Sequence, residues 1–162
     1  MRKLTVLLTL ITGCAAFYSC GVEGCDEPMS VNAGVTFVNK QTQPIALTEV
    51  TVSGIGAPND SILYNAVKNV KSVDLPLRIT SEKTSYVFKF KATNPDTQED
   101  VYINDTLHIN YTNLNHFISE DCGCLVYHTL KSLEYTKHLL DSAYIYQPEI
   151  TNKYVQNILL KF

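Results

Sequence analysis

The stretch Tyr86-Val87-Phe88-Lys89-Phe90-Lys91-Ala92 decides the fold class, because large apolar side chains occupy every second position and two lysines lie between them. Side chains in a β-strand point alternately to opposite faces of the sheet. One face of this stretch is therefore apolar enough to be buried, and the other face exposes Lys89 and Lys91 to solvent. The pattern predicts a half-buried β-strand.

Comparable short segments recur along the chain with turn-forming residues between them. Strands are predicted at residues 35–38, 50–53, 62–64, 70–77, 86–92, 101–111, 125–135, 143–146 and 158–162. Leu130 and Leu133 fall out of period two, which predicts a bulge or break in their strand. The polar residues 94–100 join two strong strands and predict a hairpin. The fold class expected is all-β, a single antiparallel β-sandwich of immunoglobulin-like type over residues 32–162.

The first residues are typical of an export signal. Arg2 and Lys3 are followed by the uncharged, mainly apolar run 4–18, which is shorter than the roughly 18 to 20 residues needed to cross a bilayer as a helix. A basic start, an apolar middle and a small residue before a cysteine indicate a lipoprotein signal peptide. We expect residues 1–19 to be that signal peptide and residues 20–31 to be a lipid-anchored acidic linker.

Two cysteines are candidates for lipidation. Phe17-Tyr18-Ser19-Cys20 leaves a leader of ordinary length, and Ile11-Thr12-Gly13-Cys14 has the better small residue before its cysteine. Cys20 is the predicted lipidation site and Cys14 is the alternative. Cleavage before Cys20 removes Arg2 and Lys3, so the net charge falls from −3 to −5. An acidic domain of this kind is held at a membrane by its lipid and not by charge.

The number of cysteines predicts one disulfide. Lipidation of Cys20 leaves Cys25, Cys122 and Cys124, and three thiols allow one bridge and one free cysteine. If Cys122 and Cys124 share a strand face, only one of them meets Cys25 well. We predict a bridge between Cys25 and Cys122, with Cys124 as the alternative partner. Such a bridge stabilises the fold by about 4 to 5 kcal/mol, less any strain.

The sequence offers little evidence for catalysis or for a bound cofactor. Cys122 and Cys124 with His116 and His128 could form a zinc or copper(I) site, but their spacing lacks a CxxC pair, so neither metal nor cofactor is predicted. The motifs of nucleotide-binding loops, zinc proteases and serine hydrolases are absent from the sequence, and so is a basic stripe for nucleic acid. The chain is therefore predicted not to be an enzyme.

Tyrosines provide the strongest indication of a ligand. Tyr144 and Tyr146 would share one face of a strand and could stack on a sugar ring. Tyrosine is also a common β-strand residue, so packing at the edge of the core is the favoured explanation for them. A ligand-binding module for glycan or metal is the alternative function.

Several motifs together resemble a known family. They are Cys25-Asp26-Glu27-Pro28, Asp60-Ser61-Ile62-Leu63-Tyr64-Asn65, Ser72-Val73-Asp74-Leu75-Pro76-Leu77 and Ile118-Ser119-Glu120-Asp121-Cys122-Gly123. With the leader, they make the chain similar to a family of small lipoproteins of Bacteroidota that is defined as a domain of unknown function. Cys124 is a departure from the family's pattern. The resemblance implies a place in the cell envelope and no catalytic residue.

The resemblance implies two further features of an exported protein. Glu23, Asp26 and Glu27 behind Cys20 resemble the acidic sorting signals of surface lipoproteins, or form a solvated linker. O-glycans in Bacteroidota are attached at Asp, then Ser or Thr, then an apolar residue. The candidate acceptors in this chain are Ser61, Thr106 and Ser142. An aspartate in a turn before a strand produces the same pattern.

These observations lead to one expected function. The chain is expected to be an outer-membrane lipoprotein, facing the periplasm or the surface, with no catalytic activity. Its expected partners are the membrane, through the N-terminal lipid, and an outer-membrane protein on which it docks as an accessory. The anchor raises the local concentration of the domain, so a weak edge-strand or loop contact is sufficient.

Overall fold

A computed structural model describes residues 24–56 and 61–162 and shows two packed β-sheets. No helix is present in these residues. The predicted all-β sandwich is therefore confirmed. The proposed signal peptide, Cys14, Cys20 and Glu23 lie outside the described residues.

Ten strands build the two sheets. Their bounds are β1 Asn32–Val38, β2 Leu47–Gly54, β3 Ile62–Val70, β4 Ser72–Pro76, β5 Lys83–Thr93, β6 Asp100–Ser119, β7 Gly123–Tyr135, β8 Ser142–Ile145, β9 Glu149–Ile150 and β10 Gln156–Lys161. The six-stranded sheet has the order β3-β2-β5-β6-β7-β9, and every neighbouring pair in it is antiparallel. The four-stranded sheet has the order β4-β1-β10-β8.

One strand pair departs from the antiparallel prediction, because β1 and β10 run parallel. Gly34 allows their close approach, since a Cβ at this position would lie 2.3 Å from the carbonyl oxygen of Val155. The buried amide of Asn157 secures the same place. Its Oδ1 accepts from the Gly34 N–H at 3.0 Å, and its Nδ2 donates to the carbonyls of Gln147 and Glu149.

Aromatic rings from both sheets fill the centre of the sandwich. Phe88 and Phe90 of β5 stack with centroids 5.9 Å apart, and both side chains are buried as the alternation predicted. Phe37 of β1 meets Phe88 edge-to-face at 6.5 Å, and Phe162 meets Phe90 at 5.2 Å. Such pairs stabilise the core beyond the area that they bury.

Several strand boundaries differ from the prediction. The strand expected at residues 70–77 is present as β4 but is shorter, because Val70 belongs to β3 in the other sheet and Lys71 separates the two strands. The strand expected to end at Tyr111 continues to Ser119. The bulge expected near Leu130 is confirmed, since Asn110 pairs with Ser132 and Tyr111 with Leu130, which leaves Lys131 as the extra residue. The hairpin at residues 94–100 is also confirmed.

Candidate functional site

The disulfide joins the N-terminal segment to the end of the longest hairpin. Cys25 is bonded to Cys122, the predicted pair, with their Cα atoms 4.8 Å apart. Cys124 is a free, exposed cysteine. Cys122 lies in the β6–β7 turn and Cys124 lies in β7, so the two do not share one strand as expected. Gly123 between them has φ of +71°, a conformation that favours glycine.

The hairpin extends well beyond the sheet that it belongs to. Pairing of β5 with β6 ends at Asn110, whereas β6 continues to Ser119 against β7. From Asn110 to Phe117 the strand advances about 23 Å at roughly 3.3 Å per residue. We call residues 114–127 the β6–β7 ribbon. Its far end carries the disulfide.

Polar contacts fasten the ribbon to two neighbouring segments. The Tyr127 hydroxyl donates to Asn152 Oδ1 at 2.8 Å, and Asn152 Nδ2 donates to Glu27 Oε2 at 3.4 Å. The ring of Tyr127 also stacks on His116, with centroids 4.4 Å apart. We call residues 24–31, 114–127 and 151–155 together the tether lobe. The disulfide and these contacts hold it as one unit at the end of the sandwich where β1 begins.

The histidines considered as metal ligands have other partners. The Nδ1 of His128 lies 2.7 Å from Asn113 Oδ1, and its ring packs edge-on against Tyr111. Burial lowers the pKa of His128, which favours the neutral imidazole. Across residues 24–56 and 61–162, no three His, Cys, Asp or Glu side chains are grouped so as to hold a metal ion.

Exposed large apolar side chains collect at the same end of the sandwich. The strand register places this end at Asn32, Gly54, Pro76, Lys83, Asn110 and Gln156. The described side chains exposed there are Met29, Ile55, Ile62, Leu63, Ile79, Leu114, Phe117, Tyr146, Tyr154 and Val155. Tyr102 is the exposed large hydrophobic residue that lies elsewhere, in the other half of β6. Such clustering is typical of an interaction surface.

One edge of the ribbon is unpaired in the described part of the chain. The Tyr111 N–H donates to the Glu82 carbonyl at 2.9 Å, on the β5 side. Backbone N–H groups alternate in direction along a strand, so those of Asn113, Asn115 and Phe117 point to that side as well. The stretch from Tyr111 to Ser119 contains no Lys, Arg, Asp or Glu and no proline. Charged residues and proline are the usual means of protecting an edge strand from pairing with another chain.

The other long edge strand is protected in the expected way. β3 carries Lys68, its pairing with β2 has register shifts, and Ala66 and Asn69 have positive φ. Bulges and lysines of this kind discourage pairing with another chain. The contrast makes the β6 edge of the ribbon an available pairing surface of the six-stranded sheet among the described residues. The outer side of β7 also lacks a strand partner from Gly123 to Tyr127, since β9 pairs only with His128 and Thr129.

A recess lies between the segment Pro76–Arg78 and the start of β5. It has a volume of about 240 Å³ and is lined by residues that include Leu63, Leu77 and Tyr86. The Tyr86 hydroxyl donates to the Pro76 carbonyl, and burial raises the pKa of this phenol. The Asn113 side chain donates to the carbonyl of Ile79 at 3.0 Å, the residue that follows Arg78 of the recess lining. We call the ribbon edge, Ile79 and this recess together the notch.

Hydrogen bonds fix the backbone between the recess and the base of the ribbon. Thr84 Oγ1 lies 2.6 Å from the Tyr111 hydroxyl, which donates to the Arg78 carbonyl. The Arg78 guanidinium donates to the Ile55 carbonyl at 2.6 Å. These groups bond one another and the backbone, and the apolar rim beside them is suited to contact with another chain.

The predicted tyrosine platform is not formed as a strand face. Tyr144 is half-buried in β8 opposite Leu159, whereas Tyr146 follows the strand in a bend and is exposed. The two side chains therefore do not follow the alternation of one strand.

The three proposed O-glycan acceptors occupy different environments. Ser61 is exposed at the start of β3, next to the undescribed residues 57–60. Ser142 is half-buried in the edge strand β8. Thr106 is half-buried in β6, between β5 and β7, and its backbone N–H and carbonyl both bond to Thr136. Exposure makes Ser61 the most accessible of the three.

Asp105, beside Thr106, has a structural role that the sequence analysis missed. Its buried carboxylate accepts from the Thr136 hydroxyl and from the N–H groups of His138, Leu139 and Leu140 at 2.7 to 2.9 Å. Burial by itself raises the pKa of Asp105, but these hydrogen bonds outweigh it and the pKa is lowered. The carboxylate therefore holds the turn after β7.

The described residues form an all-β sandwich whose tether lobe is linked by a disulfide. The chain belongs to a family of unknown function (DUF6452), whose profile matches residues 49–162, more than half of its length. No curated protein and no solved structure matches it. No helix among the described residues is long and apolar enough to cross a membrane.

Proposed function

We propose that the protein is a lipid-anchored, non-catalytic accessory of the cell envelope that docks on an outer-membrane protein. The observation that carries the proposal is the position of the disulfide. Cys25 follows the proposed lipidation site Cys20 by five residues, so the linker between them spans at most about 18 Å. The bridge to Cys122 would then hold the ribbon, with its unpaired edge, close to the membrane.

The notch provides the docking surface in this proposal. An extended segment of a partner would pair with the N–H and carbonyl groups of Asn115 and Phe117. Its side chains would contact the exposed Ile79 and the apolar recess. Because the anchor confines the domain to one membrane, a short pairing surface is sufficient for a partner in that membrane.

A photo-activatable phenylalanine analogue at Ile79 of the full chain tests the docking surface in cells. We expect a covalent adduct with one envelope protein. The same analogue at Tyr102, exposed in the other half of β6, is the positional control and should give no such adduct.

Proline at Asn115 tests the pairing itself. Asn115→Pro removes an N–H that points to the unpaired edge and leaves the β6–β7 hydrogen bonds in place, so the adduct at Ile79 should be lost. Asn115→Ala keeps the N–H and should retain the adduct. Thermal unfolding of both variants checks that the fold is intact. No adduct at Ile79, or equal adducts at Ile79 and Tyr102, would contradict the docking surface.

A further inference from the structure

We infer that the tip of the tether lobe contacts the lipid surface itself, with Phe117 as the main contacting side chain. This inference rests on the proposed lipid anchor and adds a second, non-covalent contact with the membrane. The occupant is a bilayer surface, because Cys25, five residues after the proposed lipidation site, is bonded to this tip.

The chain enters the described structure at the tip of the lobe. Gly24 is the first described residue, and Cys25 is bonded there to Cys122. Only five residue steps separate Cys25 from Cys20, a reach of at most about 18 Å. A lipid on Cys20 would therefore keep this tip within one short linker of the bilayer, while the opposite end of the sandwich lies much farther away.

Phe117 is placed for such a contact. It pairs with Cys124, two residues from the disulfide-bonded Cys122, so its backbone lies within about 17 Å of Cys25. Its side chain is 61% exposed. Met29, four residues beyond Cys25, is also exposed. Large apolar side chains near an anchor gain free energy by entering the interface of a bilayer.

The charge of the lobe specifies the kind of lipid. Its described acidic residues are Asp26, Glu27, Glu120 and Asp121, and its basic residue is Lys153. An acidic surface is repelled by anionic headgroups. The contact therefore fits a zwitterionic surface, and it should weaken as anionic lipid is added at low salt.

The absence of tryptophan from the chain makes a direct test possible. Phe117→Trp and Tyr102→Trp each give a protein with one tryptophan, the second being the matched control in the other half of β6. The full chain, isolated with its lipid verified by intact mass, is reconstituted into phosphatidylcholine vesicles. Some of these vesicles contain brominated acyl chains, which quench tryptophan at the bilayer.

We expect brominated lipid to quench the Phe117→Trp variant several-fold more than the Tyr102→Trp variant, and anionic lipid to reduce the difference. Burial of one large apolar side chain changes a partition constant by about tenfold or more, so Phe117→Ser without the lipid should bind vesicles about tenfold more weakly than its unlipidated parent.

Two results would overturn the inference. One is equal quenching of both variants on a lipidated chain. The other is protection of the Phe117→Trp variant from aqueous iodide without quenching by brominated lipid, which would indicate a protein in contact with the tip. A chain that carries no lipid would instead contradict the proposed function, so the two failures are distinguishable.

Discussion

At the scale of single residues, Asp105 shows how one buried carboxylate organises a turn. Its oxygens bond the backbone of three successive residues after β7. These partners lie 33 to 35 positions away along the chain. Period-two alternation assigns a strand but carries no information about such distant partners. The sequence pattern at Asp105-Thr106-Leu107 was read as a glycosylation motif, and the structure supplies a structural reason for its aspartate.

Replacing Asp105 should therefore destabilise the sandwich. Asp105→Asn keeps the shape but places an N–H₂ group against backbone donors, and we expect a loss of about 1 to 3 kcal/mol in the free energy of unfolding at pH 7. Urea denaturation measures it. The control is Asp96→Asn, in the exposed β5–β6 turn, which should leave stability within about 0.5 kcal/mol of wild type.

The pH dependence of unfolding in wild type and Asp105→Asn tests whether the charge of the Asp105 carboxylate causes this stabilisation. The pKa of Asp105 is lowered on folding, so its contribution is fully present above the unfolded-state pKa of about 3.9 and is lost as pH falls through the lower folded-state pKa. The difference between wild type and Asp105→Asn should shrink over that acidic range. An unchanged difference would show that the carboxylate charge is not responsible.

At the scale of elements, the alternation of apolar and polar residues predicted the strands that are buried on one face. It missed the part of β6 that is exposed on both faces. Alternation with Lys89 and Lys91 predicts that Phe88 and Phe90 are buried, and both are. The strand containing Tyr111 was ended too early because polar residues follow it. The ribbon has solvent on both faces, so it produces no apolar alternation. The uninterrupted stretch without proline or glycine from Tyr111 to Ser119 was the available signal.

The disulfide was predictable in number but not in geometry. The predicted lipidation of Cys20 leaves three cysteines and so one bridge, whereas the choice between Cys122 and Cys124 depends on the turn at Gly123. The parallel pairing of β1 with β10 could not be predicted from the sequence either. It depends on the missing side chain of Gly34 and on the amide of Asn157, which are brought together only in the folded chain.

Removing the disulfide should loosen the tether lobe in particular. The bridge spans 97 positions, and a loop of that length corresponds to about 4 to 5 kcal/mol of stabilisation, less any strain. We expect Cys25→Ser to lower the free energy of unfolding by up to that amount. Hydrogen exchange should increase most in residues 114–127. Cys124→Ser, which removes the free cysteine, is the control and should change neither; equal effects of both variants would contradict the role of the bridge.

At the scale of the whole molecule, the two ends of the sandwich differ in chemistry. The end with the disulfide carries the exposed apolar side chains and the notch. The other end is formed by the polar turns at residues 39–44 and 94–99. A domain anchored through Cys20 would direct the first end towards the membrane and the second into the surrounding space. Both the docking proposal and the lipid contact depend on that orientation.

The most direct measurement of the central claim is the intact mass and peptide map of the protein isolated from native membranes, with and without reductant. We expect a chain that begins at an acylated Cys20 and contains Cys25 linked to Cys122. An acylated Cys14 would retain the anchor with a longer linker. An unacylated chain in the soluble fraction would contradict the account.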